Sequence, residues 1–376
     1  MAIYPPGADE PRIPVDVLRR AIQAIFSAAG MGSEAAQLVA DSIVYADKRG
    51  NHSHGVLHVP DYVSKLLRGG VDPRAEPRLV ASSGPVLKVD VQNAMGQIGM
   101  AFAMKHTINR AADTGIAFAA VGGSNHCGAL NYFSSMAARR GMIGICGTNA
   151  IPTMAPNGGR DRIVGLNPIS IAIPGNHGDF VLDTTFGEAA YGKIRVYGQK
   201  GHAIPEGWVL DSDGQPTTDP TAAFAGLIRP IGGHKGVGLG MAVGMISSLL
   251  SGAAYGTELG DLASGAKPGR DGHFCLVIDI NAFQPLDEVR ARVDRMLEEV
   301  RGGRRREGVN RLYSPGELGD SLDHEYSLNG IPLNRETLAG IAKSAEQVGA
   351  DISELEAIAG VRTRAGATRP GAVHVN

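Results

Sequence analysis

Short apolar runs alternate with helical segments through the middle of the chain, and this alternation limits the possible folds. Strands are predicted at 86–91, 116–121 and 142–146, with helices between them at 99–112 and 131–140. Strands that alternate with helices indicate an α/β layer, in which helices cover a sheet. Further strands are predicted at 163–173, 180–182 and 275–280, and further helices at 286–300 and 335–348.

The two ends of the chain differ from the middle. Apolar residues recur at three- and four-residue steps in segments 15–26 and 33–46, as they do in amphipathic helices. The tail returns to helical spacing. We therefore predict a mainly helical domain formed by residues 1–75 and 305–376, packed against an α/β domain of residues 76–304.

One segment, 236–257, contains no charged residue and is long enough to span a bilayer, which takes about 20 residues. However, glycine and serine interrupt it repeatedly, and its larger apolar residues keep helical spacing. We therefore predict a buried central helix at 236–252, inside the α/β domain.

Charge and cysteine content exclude several classes of function. The 36 Lys and Arg residues nearly balance the 38 Asp and Glu residues, whereas nucleic-acid and membrane-surface binding need a concentrated positive field. Three cysteines without C-x-x-C spacing argue against a disulfide framework and a zinc site. The first residues lack the apolar stretch of a signal peptide. We expect a cytoplasmic protein without a metal.

A polar cluster lies at the end of the second predicted helix. His52, Ser53 and His54 stand together there, with Arg49 before them and His58 after them. Histidine titrates near neutrality and suits proton transfer at a carbonyl, while an arginine fork holds a carboxylate. Two alternatives remain open: the histidines bind a metal, or they are ordinary polar residues of a helix end.

A second polar cluster follows the strand predicted at 116–121. It reads Gly122, Gly123, Ser124, Asn125, His126, Cys127 and Gly128. Ligands of α/β proteins bind beyond the carboxyl ends of strands, and glycines allow the backbone to approach them. His126 is therefore a catalytic candidate. Cys127 is either a nucleophilic thiol or a small residue that fills a tight site.

Polar loop residues are predicted to line the same cleft. They are Thr148, Asp183, Thr184, Thr185, His234 and Lys235. The helix dipole disfavours a lysine at a helix start unless an anion lies nearby, so Lys235 indicates a phosphate or carboxylate. Asp183 has the alternative role of capping a turn. Since no G-x-G-x-x-G turn follows an early strand, a nicotinamide cofactor would bind outside the Rossmann pattern.

In their order along the chain, these motifs resemble the type 2 malate/L-lactate dehydrogenase family. The family includes ureidoglycolate and sulfolactate dehydrogenases and Δ1-piperideine-2-carboxylate reductase. The similar segments are 47–62, 123–132, 148–174, 182–189, 193–220, 232–252 and 314–317. The resemblance implies a non-Rossmann, mixed-sheet α/β core with a mainly helical domain. It also implies a dimer with the cofactor cleft near the subunit contact.

The resemblance also implies roles for individual residues. Ser53 and His54 match the Ser-His pair of the family, and His126 matches a histidine proposed as acid or base. Asp183 matches an aspartate of the cofactor and relay region. The expected cofactor-binding positions are Ser124, Asn125, Gly128, Asp183, Thr184, Thr185, His234, Lys235, Pro315 and Gly316. The expected substrate-binding positions are Arg49, His58, Tyr62 and Thr148.

One position departs from the family pattern. His58 stands where the family commonly has an arginine that holds the substrate carboxylate. A neutral imidazole binds a carboxylate less firmly than a guanidinium does. We therefore expect weak binding of simple 2-oxo acids near neutral pH, unless Arg49 takes over this role.

These features predict an NAD- or NADP-dependent oxidoreductase. It would transfer a hydride between nicotinamide and the α-carbon of a small 2-oxo or 2-hydroxy acid, with His54 or His126 moving the proton. One alternative is a reductase of a cyclic imine 2-carboxylate. Another is a catalytically silent binding protein that has kept the cleft. The expected assembly is a homodimer or a higher even oligomer.

Overall fold

The computed structural model describes residues 10–361. The helices are α1 (Val15–Ala28), α2 (Ser33–Lys48), α3 (Val59–Leu67), α4 (Gly96–Thr114), α5 (Asn131–Ala138), α6 (Tyr191–Gln199), α7 (Pro220–Ala225), α8 (His234–Leu249), α9 (Leu286–Gly302), α10 (Glu317–Asn329), α11 (Arg335–Val348) and α12 (Ser353–Ala359). The strands are β1 (Arg12–Ile13), β2 (Arg78–Ser83), β3 (Val86–Asp90), β4 (Ile116–Ser124), β5 (Met142–Thr148), β6 (Pro152–Met154), β7 (Val164–Gly165), β8 (Ile169–Ile173), β9 (Phe180–Thr184), β10 (Val209–Leu210), β11 (Pro216–Thr217), β12 (Leu227–Ile228), β13 (Asp271–Asp279) and β14 (Ile331–Pro332).

A seven-stranded mixed sheet forms the centre of the molecule, as the sequence predicted. Its order is β2-β3-β4-β13-β5-β8-β9. Strands β3 and β4 are parallel, and the other neighbouring pairs are antiparallel. Strand β13, which comes late in the chain, lies between β4 and β5. The predicted strand at 163–173 is interrupted, because β7 pairs with β6 outside this sheet.

Helices α4 and α5 cover one face of the sheet. The buried side chains of Val89, Val121 and Val277 pack there against Met104 and Phe133. Helix α4 approaches closely because it begins with small residues. A Cβ at Gly99 would lie 2.4 Å from Cγ2 of Val91. This close packing places the loop after β4 directly beside the start of α4.

Helices from both ends of the chain share a second core. Leu18, Ile22 and Ile43 pack with Leu338 and Ile341 in one buried cluster. Segments from both ends of the chain thus meet in one core, and the boundaries of the predicted helical domain stay a prediction. Residues 1–9 and 362–376 of that predicted domain lie outside the described part of the chain.

A third hydrophobic core lies apart from the large sheet, within the predicted α/β domain. Met154, Ile194, Val209 and Ile228 are buried together. They come from α6 and from short strands, including the small sheet β11-β10-β12. The sequence pattern did not distinguish this part, since its strands have only two or three residues each.

Helix α8 corrects the prediction of a fully buried central helix. One face packs on the large sheet through Val243, which contacts Phe274. The opposite face is exposed in the single chain, and it carries Gly238, Leu239, Ala242, Met245, Ile246, Leu249 and Leu250. In residues 10–361, no helix combines the length and the apolar character needed to cross a membrane.

Candidate active site

Asp47, near the end of α2, fixes the loop that follows this helix. Its buried carboxylate accepts hydrogen bonds from the backbone N–H of Val56 (2.7 Å) and from Nδ1 of His52 (2.7 Å). A side chain at Gly55 is excluded, because its Cβ would lie 2.1 Å from Oδ2 of Asp47. The chain therefore folds into two short 3-10 turns, which bring Ser53 to the wall of a cavity.

Three histidine rings meet at this cavity, whose volume is about 450 Å³. The ring centres of His58 and His126 are 5.5 Å apart, and that of His54 lies 5.9 Å from His126 and 6.4 Å from His58. His54 and His58 lie between α2 and α3, whereas His126 follows strand β4. Among the described residues, no group of three or more His, Cys, Asp or Glu side chains is placed to hold a metal ion.

His54 presents a basic nitrogen to the cavity. The hydroxyl of Ser53 donates its proton to Oδ1 of Asn51 (2.8 Å). Its oxygen lies 2.9 Å from Nδ1 of His54 and accepts the N–H of that nitrogen. Since a neutral imidazole carries one N–H, Nε2 of His54 keeps its lone pair. The Asn51–Ser53–His54 chain therefore holds His54 in the tautomer of a general base.

His126 has the opposite tautomer. The hydroxyl of Tyr62, a residue that is only 2% exposed, lies 2.7 Å from Nδ1 of His126. Burial chiefly raises the pKa of Tyr62, so the phenol stays protonated at neutral pH, and we assign it as the donor to Nδ1 of His126. The proton of neutral His126 is then on Nε2. The cavity wall thus carries one imidazole that accepts a proton and one that donates a hydrogen bond.

Burial keeps both histidines neutral. It lowers the pKa of His54 to about 4, and the charge of His58 acts in the same direction. Burial, followed by the charges of His58 and His54, also holds the pKa of His126 well below its ordinary value. Both imidazoles are therefore available at neutral pH in the tautomers that their partners select.

His58 is held by two acceptors. Its Nδ1 lies 2.9 Å from a carboxylate oxygen of Asp61, and its Nε2 lies 2.9 Å from the backbone oxygen of Ser53. Both partners are hydrogen-bond acceptors. Burial raises the pKa of Asp61, but the hydrogen bond from His58 and the charges of His58 and Arg195 outweigh it and lower that pKa overall. The two nitrogens of His58 are occupied within the protein.

Arg195, on α6, is a cavity residue that sequence reasoning missed. Its side chain is 38% exposed, and Nη1 reaches Asp61 only at 3.4 Å. Helix α6 lies against the histidine loop, since a Cβ at Gly192 would be 2.5 Å from the carbonyl oxygen of Ser53. The guanidinium therefore has further N–H donors for a ligand in the cavity.

The structure brings about half of the predicted site residues to the cavity wall. These are Ser53, His54, His58, Asn125, His126, Gly128, Thr148 and Thr185. Tyr62 lies behind His126. The other predicted residues lie outside this cavity: Arg49, Ser124, Asp183, Thr184, His234, Lys235, Pro315 and Gly316. The cavity also has charged wall residues that the sequence did not single out: Asp61, Lys65, Arg162, Arg195, Asp261 and Asp271.

Arg49 does not reach the cavity, in contrast to its predicted role as a carboxylate ligand. Its guanidinium pairs with Asp320 (2.5 Å) and donates to the backbone oxygen of Gly316 (3.1 Å). The neighbouring carbonyl of Pro315 accepts a hydrogen bond from the N–H of Val181 at 3.1 Å. Arg49 thus ties the start of α10 to the end of α2.

The side chains of Asp183 and Ser124 also form hydrogen bonds within the protein. A carboxylate oxygen of Asp183 accepts the N–H of Asn131 at the start of α5 (3.0 Å), and burial raises its pKa to about 6. Ser124 and Thr148 contact the two ring nitrogens of His273, at 2.8 and 2.6 Å. His273 therefore links β4, β13 and β5 immediately below the cavity.

Comparison with known proteins identifies the family. The sequence profile of the malate/L-lactate dehydrogenase family matches residues 13–342. The chain belongs to this family. It is 36% identical to the malate dehydrogenase of Pyrococcus horikoshii over 349 residues, which are 90% of this chain and 96% of that protein.

Two other relatives have different named activities. The NAD(+) ureidoglycolate dehydrogenase of Escherichia coli K12 is 33% identical over 86% of this chain and 92% of its own length. The Δ1-pyrroline-2-carboxylate/Δ1-piperideine-2-carboxylate reductase of Pseudomonas putida is 34% identical over 88% and 96%. The solved structure of the Pyrococcus horikoshii enzyme superposes with a TM-score of 0.86 at 32% identity, covering 93% of this chain and 99% of that one.

The Tyr62–His126 hydrogen bond predicts the effect of Tyr62→Phe. Without the phenol proton, Nδ1 of His126 loses its donor, so the tautomer is no longer fixed and turnover falls about tenfold. The free energy of unfolding falls by about 1 kcal/mol, the usual net contribution of one hydrogen bond. Steady-state kinetics and thermal unfolding measure the two effects. Tyr326→Phe, in the helical core, is the control, and unchanged turnover of Tyr62→Phe would contradict the assignment.

Proposed function

We propose that the chain is an NAD-dependent oxidoreductase that acts on the α-carbon of a small 2-hydroxy or 2-oxo acid. The pair of neutral histidines in opposite tautomers, on one cavity wall, is the observation that supports it most directly. The oxidation of an alcohol needs a base for the hydroxyl proton. Nε2 of His54 would take that proton, while Nε2 of His126 would donate a hydrogen bond to the same substrate oxygen.

The cavity fits a nicotinamide ring. Leu166 and Pro168 give it an apolar wall, and Thr148 and Thr185 add hydroxyl groups. Gly128 has φ +76, and the nearest atom to a Cβ built there is 3.6 Å away, so the backbone is open to a ligand. When bound, nicotinamide supplies the hydride acceptor or donor. A relative named for NAD(+) supports NAD over NADP, and turnover with each cofactor tests this choice.

We assign the substrate carboxylate to Arg195. It has donors left after its long contact with Asp61, whereas His58 uses both ring nitrogens and Arg49 lies outside the cavity. A guanidinium fork matches a carboxylate with two parallel hydrogen bonds. The cyclic imine 2-carboxylate alternative uses the same cavity and the same cation, and a panel of hydroxy acids and imines separates the two. Turnover of either class would exclude a silent binding protein.

We further propose that the enzyme works as a homodimer in the cytoplasm. The exposed face of α8 is a continuous apolar stripe with helical spacing and without a charge, and a second copy of the chain would remove it from water. Cys127, Cys146 and Cys275 are all free and buried, which suits a reducing compartment.

The acid/base assignment predicts a loss of rate in His54→Ala of about 10²–10⁴-fold, with cofactor binding retained. His54 must be neutral to accept a proton. Protonation of His54 therefore adds no pH dependence to oxidation near neutrality, and the rate declines as the pH falls toward about 4, where His54 becomes protonated. His324→Ala, on the exposed side of α10, is the control. If His54→Ala and His126→Asn both kept kcat within a few-fold of wild type, the mechanism would be wrong.

The carboxylate assignment predicts that Arg195→Met raises KM for the acid about 10- to 100-fold with a smaller change in kcat. Loss of hydrogen bonds to a charged group, about 1.5–3 kcal/mol, accounts for this range. Arg110→Met, on the surface of α4, controls for removal of a charge. The sequence-based alternative predicts instead that His58→Arg lowers KM about tenfold. That result, together with an unaffected Arg195→Met, would move the carboxylate to His58.

The dimer proposal predicts a molar mass of about twice the 39.2 kDa chain, or a larger even multiple, by light scattering. Ile246→Glu and Leu249→Glu place charges on the α8 stripe and should shift the mass toward that of one chain. Leu328→Glu, at an equally exposed leucine of α10, should leave it unchanged. A wild-type protein that is monomeric and fully active would overturn the proposal.

A further inference from the structure

Asp271, the first residue of β13, lines the cavity and has no role in the chemistry described above. Its side chain is only 7% exposed, yet it forms no ion pair within 4 Å and no hydrogen bond to another side chain in the described part of the structure. A Cβ at Gly269 would lie 2.1 Å from Oδ2 of Asp271. The loop thus leaves space for this carboxylate, although ionised groups in protein interiors are usually paired.

Lys65, on α3, is the cation whose charge affects the pKa of Asp271. It is 1% exposed, lines the same cavity and donates to the backbone oxygen of Lys267. Burial raises the pKa of Asp271 to about 7, and the charge of Lys65 acts in the opposite direction without a direct contact. The charge of Lys65 therefore offsets the effect of burial only in part, and the carboxyl group is partly ionised near neutral pH. The carboxylate oxygens are left to accept hydrogen bonds from a ligand.

The charges of Asp271 and Lys65 affect the pKa values of two residues at the proposed reaction centre, Tyr62 and His126. Burial chiefly raises the pKa of Tyr62, and the charge of Asp271 adds to the effect. Burial chiefly lowers the pKa of His126, and the charge of Lys65 adds to that effect. Asp271 and Lys65 line the same cavity as His126, where a substrate would bind.

We propose that Asp271 is a specificity-determining residue that accepts a hydrogen bond from a hydroxyl or ammonium group on the carbon chain of the substrate. This inference rests on the proposed function and deepens it. The preferred substrate is a 2-hydroxy acid with a second hydrogen-bond donor. A second carboxylate in the same position is disfavoured, because two like charges would face each other away from bulk water.

The energetics favour discrimination at this position. A donor group on the substrate satisfies a largely buried acceptor that has no side-chain partner, and an analogue that lacks the donor leaves that contact unmade. Sites built around a polar contact reject such analogues strongly, whereas apolar pockets separate similar groups only weakly. Asp271 thus determines which substrate is preferred, while His54 and His126 serve in proton transfer.

Four acids of similar length test the proposal: 4-amino-2-hydroxybutyrate, 2,4-dihydroxybutyrate, 2-hydroxypentanoate and malate. The wild type should give higher kcat/KM with the two donor-bearing acids than with the other two. Asp271→Asn removes the charge at constant size, so the ratio of kcat/KM for the ammonium acid to that for malate should fall about 100-fold. Asp271→Ser, which is smaller, should change this ratio in the same direction. Asp113→Asn, at an exposed position of α4, is the control.

Thermal shifts by the same four acids, without cofactor, provide a measurement that does not depend on turnover. The donor-bearing acids should stabilise the wild type most, and Asp271→Asn should lose this preference. An unchanged ratio and unchanged shifts would overturn the inference. So would an effect of Asp271→Asn confined to KM for the cofactor, which would assign the carboxylate to nicotinamide. A wild type that turns over none of the acids would contradict the proposed function, and the thermal shifts would still test Asp271.

Discussion

The hydrogen bond between Tyr62 and His126 connects the two largest parts of the molecule at the point where the chemistry is proposed. Tyr62 belongs to the helical core, and His126 follows a strand of the sheet. With the protonated phenol assigned as the donor, the contact also decides which nitrogen of His126 carries the proton. The position of the proton on His126 therefore depends on one interaction between α3 and the loop after β4.

The protonation states of the other site residues also depend on burial and on neighbouring charges. His54 and His126 stay neutral because burial and the neighbouring His58 disfavour their protonation. His58 itself lies between two acceptors, Asp61 and the carbonyl of Ser53. His58 thus helps to keep the two neighbouring rings neutral and available. The arrangement has this property before any ligand binds, so little reorganisation is needed when a hydroxyl enters.

The sequence predicted the elements better than their arrangement. Apolar periodicity located the strands β3, β4 and β5 and the helices α9 and α11, since burial on one face imposes that period. It did not predict that β13 lies between β4 and β5, because strand partners are chosen by tertiary packing. The prediction that α8 is buried was wrong for one of its faces in the single chain, for a related reason. Spacing identifies an apolar face but does not say what covers it.

The same distinction explains which site residues could be found from the sequence. It also separates two tasks of the cavity, proton transfer and substrate recognition. His54 and His126 stand in polar clusters next to element ends, a visible signal, whereas Lys65 and Arg195 lie within helices, where long charged side chains ordinarily face solvent. The proton groups form two hydrogen-bonded chains, one through Ser53 to His54 and one through Tyr62 to His126. Arg195 and Asp271, the charges proposed to contact the rest of a substrate, lie on other elements, α6 and β13, so they can change with little effect on these chains. Relatives with this fold and different named substrates are a natural consequence of this separation.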